Sequence, residues 1–147
     1  MLERVEHSSF TVKDLEVSIP FYRDILGLKV LFDSKAAGID FRGTWADAIT
    51  GVPETDLRFV LLTLGETMVE LVQYTPTGKP QVDNMANDTG SGHIAFKTQK
   101  IHEFYEKLKE NNVRTHGAPQ FMGLVWVMYF RDPDGNILEV VQGEPPA

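Results

Sequence analysis

The sequence predicts an α+β fold in which one strand–helix–strands unit is used twice. Three observations carry this reading. Strand-length runs rich in β-branched and aromatic residues alternate with two segments of helical spacing, and the order strand, helix, strands then repeats. Residues of matching type recur at matching places. His7 and His93 sit early in a first strand, Phe21-Tyr22 and Phe104-Tyr105 in the helix that follows, and Glu70 and Glu139 mid-way along a last strand that reads Glu-Leu-Val-Gln or Glu-Val-Val-Gln. Between the halves, TPTGKPQVDNMANDTGS is dense in turn residues and reads as a linker. The expected organisation is a single domain over 1–147, with one module at about 5–75, a linker at about 76–91 and a second module at about 92–142.

The elements follow in order. Val5 to Val12 reads as a strand. Leu15, Ile19, Tyr22 and Leu26 then fall at helical spacing, with Gly27 as the stop. Pro20 removes the bond to Glu16 and predicts a kink. Gly38 to Gly51 places Phe41, Trp45 and Ile49 at four-residue spacing, predicting a short amphipathic helix with no counterpart in the second half. It reads either as an extra helix on the core or as a lid over a site. Leu57 to Leu64 and Thr67 to Tyr74 flank Gly65-Glu66 as a hairpin. The second half begins with a strand at Gly92. A helix with Ile101, Phe104, Tyr105 and Leu108 on one stripe follows, ending at Asn111-Asn112. A strand from Leu124 to Phe130, a turn at Asp132 to Gly135 and a strand from Ile137 to Gln142 complete it. The tail GEPPA reads as disordered.

Composition narrows the function. Fourteen Lys and Arg against 21 Asp and Glu leave a net charge of -7 over 147 residues. That argues against nucleic-acid and anionic-membrane partners, which need a basic footprint. No apolar run approaches membrane-spanning length and the N-terminus lacks a signal profile, so a cytoplasmic protein is expected. With no cysteine, disulfides and thiolate metal sites are excluded. Any metal is then held by His, carboxylate, amide or water, which favours zinc, nickel, cobalt, manganese or iron.

Strand alternation sorts the chemistry by face. His7 shares a face with Ser9 and Thr11, while Phe10 and Val12 point the other way; Ile94 and Phe96 flank His93 likewise. Val69 and Leu71 lie opposite Glu70, and Leu138 and Val140 opposite Glu139. If both halves bend around one cavity, two imidazoles and two carboxylates converge there and suit one divalent ion, leaving positions for water or substrate oxygens. Singly, a strand His is usually a hydrogen-bonded structural residue and a strand Glu a solvated one; the repetition favours ligation. His102 and His116 lie outside the pattern and read as surface residues.

HSSFTVKDLEVSIPFYRDILGLKV, VELVQY, GHIAF and DPDGNILEVV resemble the vicinal oxygen chelate superfamily, which includes glyoxalase I, methylmalonyl-CoA epimerase, extradiol dioxygenases and bleomycin-resistance proteins. The resemblance runs from about Val5 to Gln142. It implies paired βαβββ modules forming a cupped mixed sheet around one divalent metal, a small-molecule substrate and a homodimer, for which Phe41, Trp45 and Ile49 are a candidate surface. His7, Glu70, His93 and Glu139 fall where the family's ligands fall, and this set is similar to bacterial glyoxalase I. The implied activity is a lyase or isomerase reaction that moves a proton next to a carbonyl through an enediolate, with Glu139 or Glu70 carrying the proton. Where that enzyme carries an Arg and an Asn for glutathione, this chain has Thr11 and Tyr74. Pro53-Glu54 is similar in place to the catalytic Glu of the epimerase, which makes Glu54 a candidate base or a solvated loop carboxylate. An acyl-CoA epimerase and a non-catalytic binding or resistance protein are the alternatives.

Overall fold

The computed structural model describes residues 1–80 and 84–144. The chain divides into two compact units, Met1–Pro80 and Gln81–Ala147. Among the described residues no helix is long and apolar enough to cross a membrane.

The first unit runs β1 (His7–Thr11), α1 (Leu15–Pro20), β2 (Lys29–Asp33), β3 (Phe41–Arg42), α2 (Thr44–Thr50), β4 (Asp56–Leu64) and β5 (Thr67–Tyr74). Its sheet has the order β1-β5-β4-β2, with β3 added against β4. β1 and β5 are parallel and β2, β3 and β5 pair β4 antiparallel, so the sheet is mixed. Alternation along β4 and β5 sends Val60, Leu62, Val69 and Leu71 to one face, where they are buried with Leu15 and Tyr22 of the helical segment. The opposite face carries His7 and Glu70.

Asp14 caps α1, its side chain accepting from the Glu16 amide. The kink expected at Pro20 takes another form. Proline has no N–H to give, and the chain goes over to one π-helical turn at Phe21–Ile25, closed by the Leu26 amide on the Phe21 carbonyl at 3.2 Å. Gly27, at φ +85°, ends it as expected. The helix expected across Gly38 to Gly51 is corrected. Phe41 lies in β3, Gly43 at φ +92° turns the chain, and only Thr44–Thr50 is helical. Ala46 is its buried residue, while Trp45 and Ile49 stand 49% and 68% exposed. The Phe41/Trp45/Ile49 stripe is therefore no single helical face.

The second unit repeats the plan as β6 (His93–Lys97), α3 (Ile101–Glu110), β7 (Gln120–Phe121), β8 (Trp126–Arg131) and β9 (Ile137–Gln142). Its order β6-β9-β8-β7 has the same parallel first pair and antiparallel remainder. Both units are βαβββ, the first with β3 and α2 inserted. Ile101, Leu108, Met128, Phe130, Leu138 and Val140 form the second core.

The repeated Glu-x-x-Gln has a structural meaning on both faces. A three-residue step reverses the side chain on a strand. While Glu70 and Glu139 face away from the helices, Gln73 Oε1 accepts from the Leu15 amide at 2.8 Å, and Gln142 Oε1 accepts from the Ile101 amide at 2.8 Å. Each last strand thus caps its own unit's helix. Gln142→Ala is expected to cost about 1 kcal/mol, the usual worth of such a bond, measured by urea denaturation.

The linker is less free than its composition suggests. Asn84 donates to Ser91 Oγ, and Arg131 donates to both the side chain and the carbonyl of Asn84, so residues 84–91 are tied to the second unit. Residues 81–83 and the part of the expected disordered tail at 145–147 lie outside the described residues.

Candidate functional site

In each unit the histidine lies one side-chain row from the glutamate on the neighbouring parallel strand. Ser9 pairs Glu70 and His7 is two residues back; Ala95 pairs Glu139 and His93 is two residues back. The same register built twice places the same atoms together. His7 Nε2 stands 3.4 Å from Glu70 Oε2, and His93 Nε2 stands 2.9 Å from Glu139 Oε2. The carboxylates are largely covered, at 19% and 15% side-chain exposure, and the imidazoles are more open, at 36% and 39%. A covered carboxylate beside an open imidazole suits a ligand arriving from solvent.

The donor chemistry fits a divalent ion. Two N/O donors about 2.1 Å from one ion and roughly 85–110° apart are about 2.8–3.4 Å from each other. Both pairs have that bite. Among the described residues of either unit, no third His, Asp or Glu joins the pair in a three-donor cage. The remaining positions of an ion at either pair fall to further donors, water or substrate oxygens.

Glu6 was not legible as a site residue. Its carboxylate contacts His7 Nδ1. A carboxylate on one imidazole nitrogen holds the proton there and leaves the lone pair of the other for a ligand, here in the space His7 shares with Glu70. In the predicted strand Val5 to Val12, Glu6 alternates onto the face opposite His7, which is why pattern reading passes over it.

The two pairs differ in their surroundings. Leu61 faces Glu70 across β4, whereas Tyr129 faces Glu139 across β8, with its ring 5.2 Å from that of His93. Burial, then the charge of Glu139, pushes the Tyr129 phenol above its ordinary value, so it stays protonated near neutral pH. Thr11 and Tyr74 are on the same face as Glu70, and both are neutral.

Glu54 is not brought to Glu70. It stands exposed in a turn at φ +56°, ahead of β4. Leu61, which faces Glu70, is five residues beyond Asp56, about 17 Å along the strand. A groove of about 650 Å³ at that end of the first unit is lined by Asp14, Lys35, Arg42 and Arg58, among others, and by neither His7 nor Glu70. Arg58 there is bound to Asp33 at 2.6 Å and to Glu16, and Arg42 is paired with Asp40. The guanidinium of Arg58 holds the Asp33 carboxyl below its ordinary range. This is an ion-paired sheet end.

His102 lies exposed on α3, its ring edge-on to Trp126. His116 is exposed too, but it is engaged: its Nε2 accepts from buried Arg131 Nε at 2.7 Å. Burial, then the charges of Arg131 and Arg114, pulls its pKa below the ordinary 6.5. The native state therefore resists protonation more than the unfolded chain does. The contribution of His116 is complete above pH 6.5 and is lost as pH falls from there toward the lowered native value. His116→Gln is expected to flatten stability between pH 7 and 5 relative to the parent, checked by urea midpoints across that range.

The model of the glyoxalase/bleomycin resistance protein/dioxygenase superfamily matches residues 4–140. Lactoylglutathione lyase of Escherichia coli O157:H7 is 30% identical over 141 residues, covering 95% of this chain and 92% of that protein. A glyoxalase family protein from Bacillus cereus superposes with a TM-score of 0.83 at 21% identity, covering 99% and 97% of the two chains. The fosfomycin resistance protein FosX of Listeria monocytogenes, as a point mutant complexed with Mn(II) and a dihydroxypropylphosphonic acid, superposes at 0.68 with 19% identity, covering 98% and 93%. A match spanning nearly the whole chain, joined to a twice-built βαβββ sheet, places this chain in the glyoxalase/bleomycin resistance protein/dioxygenase superfamily.

Proposed function

We propose that the chain is a metal-dependent lyase or isomerase of the glyoxalase I type, with His7, Glu70, His93 and Glu139 as the ligands of a divalent ion (zinc, nickel, cobalt, manganese or iron). The observation that carries this is the imidazole–carboxylate pair built twice on one strand register, with donor atoms 3.4 and 2.9 Å apart. Identity of 30% to a lactoylglutathione lyase supports the same class. The ion, when bound, supplies Lewis acidity to neighbouring oxygens of the substrate.

The chain's own residues do the rest. The imidazoles are held by their strands, with Glu6 orienting His7. Glu139 takes a proton from the carbon next to the carbonyl and returns it to the adjacent carbon, and Glu70 is its equivalent in the first unit. Protonated Tyr129, facing Glu139, is a hydrogen-bond donor on the same face. An acyl-CoA epimerase needs a second base on the opposite side of the substrate, and Glu54 is the candidate. Its exposed turn, about 17 Å along β4 from the residue facing Glu70, favours the glyoxalase reading.

The test is metal analysis followed by paired assays: methylglyoxal with glutathione and other thiols, methylmalonyl-CoA, and fosfomycin. Turnover of a hemithioacetal by the metal-loaded chain, unchanged in Glu54→Gln, is expected. A loss of about 100- to 10,000-fold in Glu54→Gln on the acyl-CoA substrate would establish the epimerase instead. Turnover of no substrate class would make the chain a binding protein. The open edge strands of the two sheets, β1 and β2, β6 and β7, support a homodimer, which sedimentation at tens of micromolar checks.

A further inference from the structure

The face of the first unit that carries His7 and Glu70 is paved with aromatic rings. Across the sheet, Ser9, Glu70, Leu61 and Phe32 form one row, and Thr11, Val72 and Phe59 form the next. Phe32 belongs to this row only because β2 carries a bulge. Val30 pairs Leu62 while Phe32 pairs Leu61, so Leu31 is the extra residue and Phe32 is turned from the helix side to the Glu70 side. There it stacks on Phe59, with ring centroids 5.6 Å apart and planes 29° from parallel. Phe41 meets Phe59 edge-on at 6.1 Å, and Trp45 leans on Phe41 at 4.5 Å.

The floor is held rigidly. Buried Ser34 clamps Phe59 on both sides: its Oγ accepts from the Phe59 amide at 3.0 Å, and its amide donates to the Phe59 carbonyl at 3.0 Å. Asp47 accepts from the Thr55 amide at 2.7 Å, tying α2 to the start of β4. Yet Phe32, Phe41 and Phe59 are only half-buried and Trp45 is 49% exposed. α1 covers the other face of the sheet. A bulge that moves a large ring out of the core onto a part-open surface gives up burial, so it calls for an occupant.

We propose that Phe32, Phe59, Phe41 and Trp45 are the specificity surface of this site, and that its substrate carries an aryl group, or an apolar group of that size, on the carbonyl carbon. The inference rests on the proton-transfer reading above. Phe59 is the diagonal cross-strand neighbour of Glu70, about 7–8 Å away. A phenyl ring on the carbon whose oxygen is held beside Glu70 reaches Phe59 and Phe32, and a methyl group leaves both wet. Offset or edge-on aromatic contact then adds to the apolar burial.

The probes are phenylglyoxylate and pyruvate, α-oxo acids that differ in the ring. Each is titrated into the metal-loaded chain by calorimetry, and by Trp45 fluorescence in a Trp126→Phe background. Phenylglyoxylate is expected to bind about 10- to 100-fold more tightly and to shift Trp45 emission. Phe59→Ala is expected to cut the phenyl-to-methyl ratio about tenfold. Phe59→Leu, which keeps most of the packing, is expected to cut it in the same direction. Equal affinities in the parent chain overturn the inference, and so does a ratio that survives both variants. A silent Trp45 with equal affinities means that another part of the chain, or a second copy, covers the floor. Aryl preference in binding, with no turnover of phenylglyoxal or methylglyoxal hemithioacetals, upholds the floor and overturns the reaction.

Discussion

Glu139→Gln is expected to lower turnover of the hemithioacetal by about 100- to 10,000-fold, the range for losing a general acid–base group, and to weaken retention of the divalent ion. The change is nearly isosteric, so the strand and the Gln142 cap survive it. What it removes is the charge that both roles need. A carboxamide is a poorer ligand for a borderline ion and cannot take a proton from carbon. His93→Ala removes the neighbouring donor, 2.9 Å away, and is expected to lower bound metal with less effect on the proton acceptor itself. The same pair of changes at His7 and Glu70 tests whether both copies serve the reaction. Metal content after dialysis, far-UV circular dichroism and turnover are measured on the same samples. Full activity without metal, or metal content unchanged in a His93→Ala/Glu139→Gln double variant, would sink the ligand assignment.

The four proposed ligands stand out in the sequence because strand alternation sets each apart from apolar neighbours: Ile94 beside His93, Val69 and Leu71 beside Glu70, and Leu138 and Val140 beside Glu139, with His7 on the face away from Phe10 and Val12. Singly each is a weak signal, and the recurrence of His7 and Glu70 at His93 and Glu139 joins them into a stronger one. The helical segments beginning at Leu15 and Ile101 were legible from their spacing, and the Gly65-Glu66 hairpin from its turn residues. What escaped depends on pairing partners distant in sequence. β2 has no clean alternation because its bulge spoils it, so neither the strand nor the turning of Phe32 shows in the sequence. Phe41, Trp45 and Ile49 mimic a helical stripe, but Gly43 at φ +92° breaks the run, and a lone glycine reveals its φ only in three dimensions. Glu54 was a candidate through its likeness in place to the catalytic Glu of the epimerase; it stands in an exposed turn at the far end of β4 from the residue facing Glu70. His116 read as a plain surface residue because nothing local announces its bond to Arg131.

Arg131 is where the largest loss of stability is expected. The residue is 5% exposed. Nε donates to His116 Nε2 at 2.7 Å, one terminal nitrogen donates to Asn84 Oδ1 at 3.0 Å and to the Gly135 carbonyl at 2.8 Å, and the other donates to the Asn84 carbonyl at 2.8 Å. One guanidinium thereby ties the 84–91 segment, the 113–116 loop and the Asp132–Gly135 turn to the end of β8. Asp132 keeps that turn in shape by accepting from the amides of Asp134 and Asn136. Arg131→Met retains apolar bulk but removes the donor of four part-buried hydrogen bonds, a loss of about 3–5 kcal/mol at about 1 kcal/mol each. For a chain of this length that corresponds to a fall in Tm of about 10–15 °C. Arg131→Lys keeps the charge without the planar fork and is expected to recover less than half of the loss. Hydrogen exchange distinguishes this account from general softening. Amides of 84–91 and 113–116 are expected to lose protection first, while those of β4 and β5 in the other unit hold theirs. A Tm within about 2 °C of the parent, or uniform loss of protection across both units, would mean that the clasp is not what holds these loops.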